Sequence, residues 1–263
     1  MRVGPTRLPR RSSLLTLYHL GISHFSEKVR WALAYKKLEY RSRLLTPGFH
    51  KLTTRRIAGS STVPVLVDDD TGTAVAESTD ILHYLDRIRP DPPLFPADAS
   101  LATAVVEVED LIDVGWGPNA SAFAYCHLVE SPGDLRRRWS TGLNVLQRGL
   151  LFAAMPVLVP GLRRMRQLSL ENASEYRAAA MRTFDDVEAR LIDNGEEYLV
   201  GGSFTAADLT GAALLGPFVR APGSPWEEND ATPSPSELQA LRDELRSRTL
   251  GQWALRMWDR HRH

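Results

Sequence analysis

The sequence predicts an α/β domain that is followed by an all-helical domain. Between residues 14 and 88, short β-prone runs alternate with helix-spaced apolar residues in the order β-α-β-α-β-β-α. Residues 90–98 then contain four prolines and show no clear period, which is typical of a linker. Every later segment with clear apolar spacing has the helical period.

The expected organisation has four parts. Residues 1–13 form a flexible basic tail, residues 14–89 the α/β domain, residues 90–98 the linker and residues 99–263 the helical domain.

The first half of the α/β domain is predicted to contain two strands and two helices. Residues 14–19 form a buried strand, a helix begins near Ser26, residues 39–45 form a second strand and residues 50–58 a short helix. The apolar face of the first helix carries Val29, Ala32 and Leu33, and its other faces carry Lys28, Arg30 and Lys36.

The second half is predicted to be a hairpin and a helix. Residues 69–72 (DDTG) separate two β-prone runs, which is a hairpin signal. Residues 78–88 have apolar side chains at helical spacing, with Ser78 as a suitable N-cap.

The helical domain shows several long apolar stripes. A helix over residues 99–127 is expected to be interrupted near 115–118, and two helical stretches in 134–170 are expected to break near Pro156 and Pro160. Thr205 and Asp208 form a capping box for a further helix, and residues 236–260 predict one or two more. The apolar run 150–159 precedes three arginines; a helix lining a pocket or partner interface is favoured over a membrane-surface helix.

Composition excludes several classes of function. Lys and Arg total 32, as do Asp and Glu, so the neutral chain gives no general case for binding nucleic acid or an anionic membrane. The single cysteine, Cys126, excludes an intramolecular disulfide and a cysteine zinc cluster. We expect a cytoplasmic protein without a metal, and without a nucleic-acid or membrane partner.

Three short signals indicate a binding site. Ser23 precedes a helix N-terminus, where unpaired N–H groups and a hydroxyl can stabilise a thiolate, although a capping role alone would also explain it. Pro64 opens a β-prone run, so the Val63–Pro64 bond is a candidate cis peptide whose backbone pairs with an extended ligand. Glu77 and Ser78 begin a helix and suit an α-amino-acid head group, although ordinary capping explains them equally well.

The order and spacing of these signals resemble the glutathione transferase superfamily, in its serine- and cysteine-type classes. The resemblance rests on SHFSEKVRWAL (23–33), TVPVL (62–66), ESTDILHYLD (77–86) and FTAADL (204–209), and covers about residues 14–220. It implies a thioredoxin-like N-terminal domain, an all-α C-terminal domain that holds the second substrate, and a homodimer.

The resemblance also implies roles for individual residues. Ser23 matches the activating position, and His24 beside it is a candidate ligand contact. The implied binding set for glutathione, or another low-molecular-weight thiol, is His24, Phe25, His50, Lys51, Val63, Pro64, Glu77 and Ser78. Thr62 stands where many relatives have a basic residue, and the region of His50 and Lys51 matches the family poorly. Residues 115–161 depart from the family pattern and are expected to shape the pocket for the second substrate.

The expected function is activation of a bound thiol toward a small hydrophobic electrophile. Two alternatives stay open at this stage. One is a thiol-independent isomerase, cyclase or lyase on the same fold, and the other is a non-catalytic binding protein.

Overall fold

The computed structural model describes residues 14–227 and 234–262, and in these it shows a four-stranded sheet followed by helices. The predicted basic tail, residues 1–13, lies outside the described residues. The strands are β1 Leu15–His19, β2 Tyr40–Leu44, β3 Val65–Asp68 and β4 Thr73–Ala76. The helices of this part are α1 His24–Tyr35, α2 His50–Ala58 and α3 Ser78–Ile88.

The sheet is mixed, with the strand order β2-β1-β3-β4. β1 and β2 are parallel and are connected through α1, whereas β3 is antiparallel to both β1 and β4. This β-α-β and β-β-α arrangement is the thioredoxin-like fold. It confirms the fold class that the sequence predicts for the first domain.

The remaining described chain is helical, as predicted. Its elements are α4 Ala99–Asp110, a π-helical segment Leu111–Trp116, α5 Gly117–Leu128, α6 Pro132–Trp139, α7 Val145–Arg166, α8 Leu170–Asp193, α9 Ala206–Val219, α10 Ser236–Arg246 and α11 Thr249–His261. The capping box is present, since Asp208 accepts hydrogen bonds from the amide and the hydroxyl of Thr205, both at 2.8 Å.

The α-helical pattern is interrupted close to residues 115–118, but the chain stays helical there, because the π-helical segment Leu111–Trp116 connects α4 to α5. The two expected breaks at prolines are absent. Pro156 and Pro160 both lie inside α7, whose 22 residues are continuous. Each proline removes one N–H donor from its own helix, but α7 is largely exposed, so water can satisfy the carbonyl groups left without a partner.

The two domains pack through α1, which contacts α3 of its own domain and the central helix α9 of the other domain. Lys28 and Lys36 on α1 are both fully buried, which corrects the sequence-based placement on polar faces. Lys28 donates hydrogen bonds to Thr79 on α3, and to Glu109 and Asp113 on α4 and the π-helical segment. The lysine is buried because carboxylates from the other domain surround it.

His19, at the end of β1, is buried as a neutral ring. Its Nδ1 accepts a hydrogen bond from Arg30 Nη1 at 2.9 Å, so its Nε2 carries the proton and donates to Ser42 Oγ at 2.7 Å. Burial, and then the Arg30 charge, lower the pKa of His19 from 6.5 to about 4. This ring therefore stays neutral in the folded protein under conditions where it is protonated in the unfolded chain.

We expect this difference to make the free energy of unfolding pH-dependent. The contribution of the neutral His19 ring to the free energy of unfolding is fully present above its unfolded pKa of about 6.5. It is lost as the pH falls through the folded pKa, and the loss from this ring amounts to roughly 2–3 kcal/mol. Urea unfolding at several pH values should give a shallower acid dependence for His19→Gln. His83→Gln, at an exposed ring on α3, is the control; equal slopes for wild type and His19→Gln would contradict the prediction.

Candidate functional site

Three chain segments meet where the strands β1, β3 and β4 end on the same side of the sheet. Tyr18 near the end of β1 pairs with Val65 at the start of β3, and Val65 pairs with Ala76 at the end of β4. The segments that follow β1, precede β3 and follow β4 therefore lie side by side. These segments carry Ser23, the Val63–Pro64 bond and the Glu77–Ser78 pair.

Ser23 is the N-cap of α1. Its Oγ accepts a hydrogen bond from the Ser26 amide at 3.2 Å, and among the described residues its own hydroxyl hydrogen has no acceptor. Ser26, in contrast, is fully buried, and its hydroxyl has no partner in the described chain. Ser23 lines an open cleft, so it can donate a hydrogen bond to a bound anion while it still caps the helix.

The Val63–Pro64 peptide bond is cis. Pro64 is buried, and Val63 is half-buried ahead of β3. Within the described chain, neither the amide nor the carbonyl of Val63 takes part in a hydrogen bond. These two groups are available to pair with the backbone of an extended ligand, as a neighbouring strand would.

Glu77 precedes α3 with a φ of 71°. This left-handed conformation is unusual for a residue other than glycine, and such residues cluster at functional sites. The exposed Glu77 carboxylate accepts a hydrogen bond from Thr62 Oγ1 at 2.9 Å. The buried Ser78 hydroxyl at the first turn of α3 has no partner among the described residues, so the pair offers one acceptor and one donor.

His50 and Lys51 lie at the start of α2 and line the same cleft as Ser23. Burial lowers the pKa of His50 to about 4, so this imidazole is neutral near pH 7, and its Nδ1 is buried without a partner in the described chain. Lys51 Nζ contacts the Met165 sulfur across the cleft at 3.5 Å. Lys51 and Arg166 are the two cationic side chains among the described residues that line the cleft.

His24 and Phe25 face the other domain. The Phe25 ring packs so closely against Gly117 that a Cβ there would lie 2.7 Å from the ring. The rings of His24 and Phe25 are 4.5 Å apart, and His24 lines a second cavity, which lies behind Ser23. Burial lowers the pKa of His24 to about 4, and its Nε2 has no partner among the described residues.

The cleft has a volume of about 430 Å³, which lies within the ~300–1,000 Å³ range of small-molecule sites. The thioredoxin-like domain forms one wall, and α5, α6 and α7 form the other. The second wall carries Tyr125, Trp139, Val157, Leu158, Leu162 and Arg166. Sequence reasoning assigned the region 115–161 to the second substrate without naming these residues.

The position of α7 explains that omission. Leu158 packs over Gly48, where any Cβ would collide with it, and Gln147 donates a hydrogen bond to the Leu44 carbonyl at 3.0 Å. Both contacts join residues that are more than a hundred positions apart. No local pattern predicts them, although the apolar run 150–159 does predict a helix that lines a pocket or a partner interface.

Known proteins resemble the chain in sequence and in fold. A family model described as "Glutathione S-transferase, N-terminal domain" matches residues 17–93. The protein named "Probable maleylacetoacetate isomerase 1" of Drosophila melanogaster is 30% identical over 174 residues, which cover 62% of this chain and 70% of that protein.

Solved structures share the fold at lower identity. A glutathione S-transferase of Methylobacterium radiotolerans, crystallised with glutathione sulfonate, has a TM-score of 0.55 and 22% identity, with 92% of this chain and 95% of that chain covered. The beta-etherase LigF of Sphingobium sp. strain SYK-6 has a TM-score of 0.60 and 21% identity, with 92% and 98% covered. Together with the sequence match, these findings show that the chain belongs to the glutathione S-transferase superfamily and is a glutathione S-transferase-like enzyme.

Proposed function

We propose that this enzyme binds glutathione or a closely related thiol at the sheet edge and activates its sulfur toward a small apolar electrophile. The observation that carries the proposal is the position of Ser23. Its hydroxyl hydrogen has no acceptor among the described residues, it caps a helix N-terminus, and it faces a cleft. A thiolate at that point receives a hydrogen bond and the favourable field of the helix.

The neighbouring groups suit the rest of a thiol tripeptide. The Val63 amide and carbonyl are placed to pair with the cysteinyl backbone. The Glu77 carboxylate suits an ammonium group, and the Ser78 hydroxyl suits the adjoining carboxylate. Lys51, with the neutral His50 beside it, suits the second carboxylate at the other end. Pro64 fixes the turn, while His24 and Phe25 support the Ser23 loop from the domain interface.

The proposed chemistry begins with loss of the thiol proton to solvent. Ser23 then stabilises the thiolate, which attacks an electrophilic carbon held against the apolar wall of α7. In a conjugation, the sulfur–carbon bond persists and the leaving group or a new carbanion takes up the charge. The cleft fits this role because its second wall is mostly apolar.

Thiol-dependent isomerisation is a second candidate, and the likeness to a named maleylacetoacetate isomerase favours it. In that case the thiolate adds to a carbon–carbon double bond, the resulting single bond rotates, and elimination returns the thiolate. Conjugation consumes one thiol per turnover, whereas isomerisation consumes none. Counting residual thiol after complete conversion separates the two reactions.

Calorimetric titration with glutathione tests the binding proposal. We expect Glu77→Gln to weaken binding by about 10- to 100-fold, because the variant loses a charge-assisted contact of roughly 1.5–3 kcal/mol. Asp80→Asn is the matched control, since it neutralises another exposed carboxylate in the first turn of the same helix. Equal affinities for both variants, or no binding by the wild type at millimolar glutathione, would refute the proposal.

A further inference from the structure

Helix α7 exposes an apolar face that nothing in the described chain covers. This helix of 22 residues is long and apolar enough to cross a membrane. Its most apolar stretch of 18 residues has a mean hydropathy of 1.5, yet only 17% of that stretch is buried. A core helix of similar composition would be mostly buried. Of the twelve large hydrophobic side chains that are exposed in the described residues, six lie on α7. Val157 and Met165 belong to the rim of the Ser23 cleft, whereas the other four, Val145, Leu146, Leu150 and Phe152, lie outside it.

Most of α7 carries very few charged side chains. Between Val145 and Gly161 the only charged residue is Arg148. Leu151, Met155 and Val159 are buried on the opposite side, which faces the protein. The helix therefore packs on α6 with its buried side and lines the cleft with Val157, Leu158 and Leu162. The side with Leu146 and Leu150 meets solvent.

The charged groups around this face are mostly cationic, with Glu130, which pairs with Arg163, and Asp134, which pairs with Arg137, as the acidic exceptions. Residues 131–167 contain seven arginines and one acidic residue, Asp134, in a protein whose net formal charge is zero. Arg148 and Arg164 lie on α7 and form no ion pair with any described residue. Arg136 on α6 stacks its guanidinium over the exposed Phe152 ring, 5.0 Å from the ring centre. The apolar face is thus bordered by cationic groups.

We propose that α7 docks this enzyme on the surface of an anionic lipid bilayer, lying in the interface. An apolar face that is flanked by arginines is the composition of interfacial helices: the apolar side chains enter the acyl boundary and the cations meet the headgroup phosphates. The proposal departs from the sequence-based expectation of no membrane partner, which rested on a net charge averaged over the whole chain.

Two alternatives fit the same face less well. A spanning helix would have to release the contacts of Leu151, Met155 and Val159, together with the bond from Gln147 to Leu44. A second copy of this chain, related by a two-fold axis, would bring two arginine-rich borders together across the interface. Anionic headgroups complement these borders.

Docking in this way has a consequence for the cleft. Leu158 and Leu162 line the cleft that holds Ser23, whereas Leu146 and Phe152 lie toward solvent on the same helix. The bilayer would then lie against the same helix that lines the cleft. An apolar substrate dissolved in the lipid would have a short route to the site.

Vesicle flotation of the full chain tests the proposal, without thiol or substrate. We expect the wild type to float with vesicles of phosphatidylglycerol and phosphatidylcholine and to float weakly with phosphatidylcholine alone. Leu146→Gln/Phe152→Gln changes side chains that are 85% and 63% exposed, outside the Ser23 cleft, and we expect it to lower the bound fraction on the order of tenfold. Arg148→Glu/Arg164→Glu should lower binding to the anionic vesicles only.

The matched control is Leu170→Gln/Ile192→Gln, which replaces exposed apolar residues on α8 and should float as the wild type does. Equal thermal unfolding midpoints for Leu146→Gln/Phe152→Gln and Leu170→Gln/Ile192→Gln would show that lost binding does not result from lost folding. The proposal is overturned if the wild type stays with the unbound fraction, or if Leu146→Gln/Phe152→Gln floats equally well. It is also overturned if light scattering without lipid shows an oligomer that only this variant dissociates, because a second copy then covers α7.

Discussion

Replacing Lys28 with methionine is expected to lower the free energy of unfolding by about 3–5 kcal/mol, the cost of removing one partner from a buried ion cluster. The Lys28 ammonium is fully buried and contacts Glu109, Asp113 and Thr79. Burial already raises the pKa of Asp113, and Glu109 adds to this effect. Without the lysine, two carboxylates stay close together at the domain interface with no cation between them.

The matched control is Lys37→Met, the same substitution at an exposed lysine after α1. Its effect should stay within about 0.5 kcal/mol, as for most surface substitutions. Urea unfolding of both variants at neutral pH measures the difference. If Lys28→Met is no less stable than Lys37→Met, the cluster does not hold the domains together. Partial recovery in Lys28→Met/Glu109→Leu would show that the unpaired carboxylate causes the loss.

Replacing Ser23 with alanine is expected to lower thiol-dependent turnover by roughly 10²- to 10³-fold, the usual effect of removing one preorganised donor to a developing or bound anion. The loss should lie mainly in the rate with saturating thiol, because the substitution leaves the proposed contacts of Val63, Glu77 and Ser78 with the rest of the ligand unchanged. Turnover of a generic electrophile, with the uncatalysed rate subtracted, measures the effect.

Two controls separate chemistry from helix capping. Ser26→Ala removes a hydroxyl in the same helical turn that is buried and has no partner among the described residues, so its turnover should match the wild type. Ser23→Thr keeps both the hydroxyl and the cap and should restore most of the activity. If Ser23→Ala and Ser26→Ala lose activity equally, Ser23 has no special role in activation.

The thioredoxin-like half of the fold could be predicted from sequence because its signals are local. A strand-length apolar run, a hairpin turn and a capping residue each depend on a few neighbouring residues. The positions of Ser23, Pro64 and Glu77 then follow from the strand order, since each lies at the end of a predicted element. Helix boundaries were off by small amounts: α1 begins at His24 with Ser23 as its cap, rather than near Ser26.

The features that could not be predicted depend on contacts between distant residues. The burial of Lys28 could not be predicted because helical spacing describes one helix by itself, whereas α1 is packed against both α3 and α9. The residues of the second cleft wall had no recognisable pattern, because α7 is placed by its contacts with Gly48 and Leu44. The continuity of α7 through Pro156 and Pro160 overrides a local preference, because the exposed position of this helix lets water satisfy the freed carbonyl groups.

The most direct test of the central claim is a pH titration of the thiolate absorbance of bound glutathione, in wild type and in Ser23→Ala. If Ser23 and the start of α1 stabilise the thiolate, the bound thiol of the wild type should titrate at least about one pH unit below the free thiol. In Ser23→Ala the titration should return toward that of free glutathione. Saturable binding with the same titration in both proteins and in free glutathione would contradict the account.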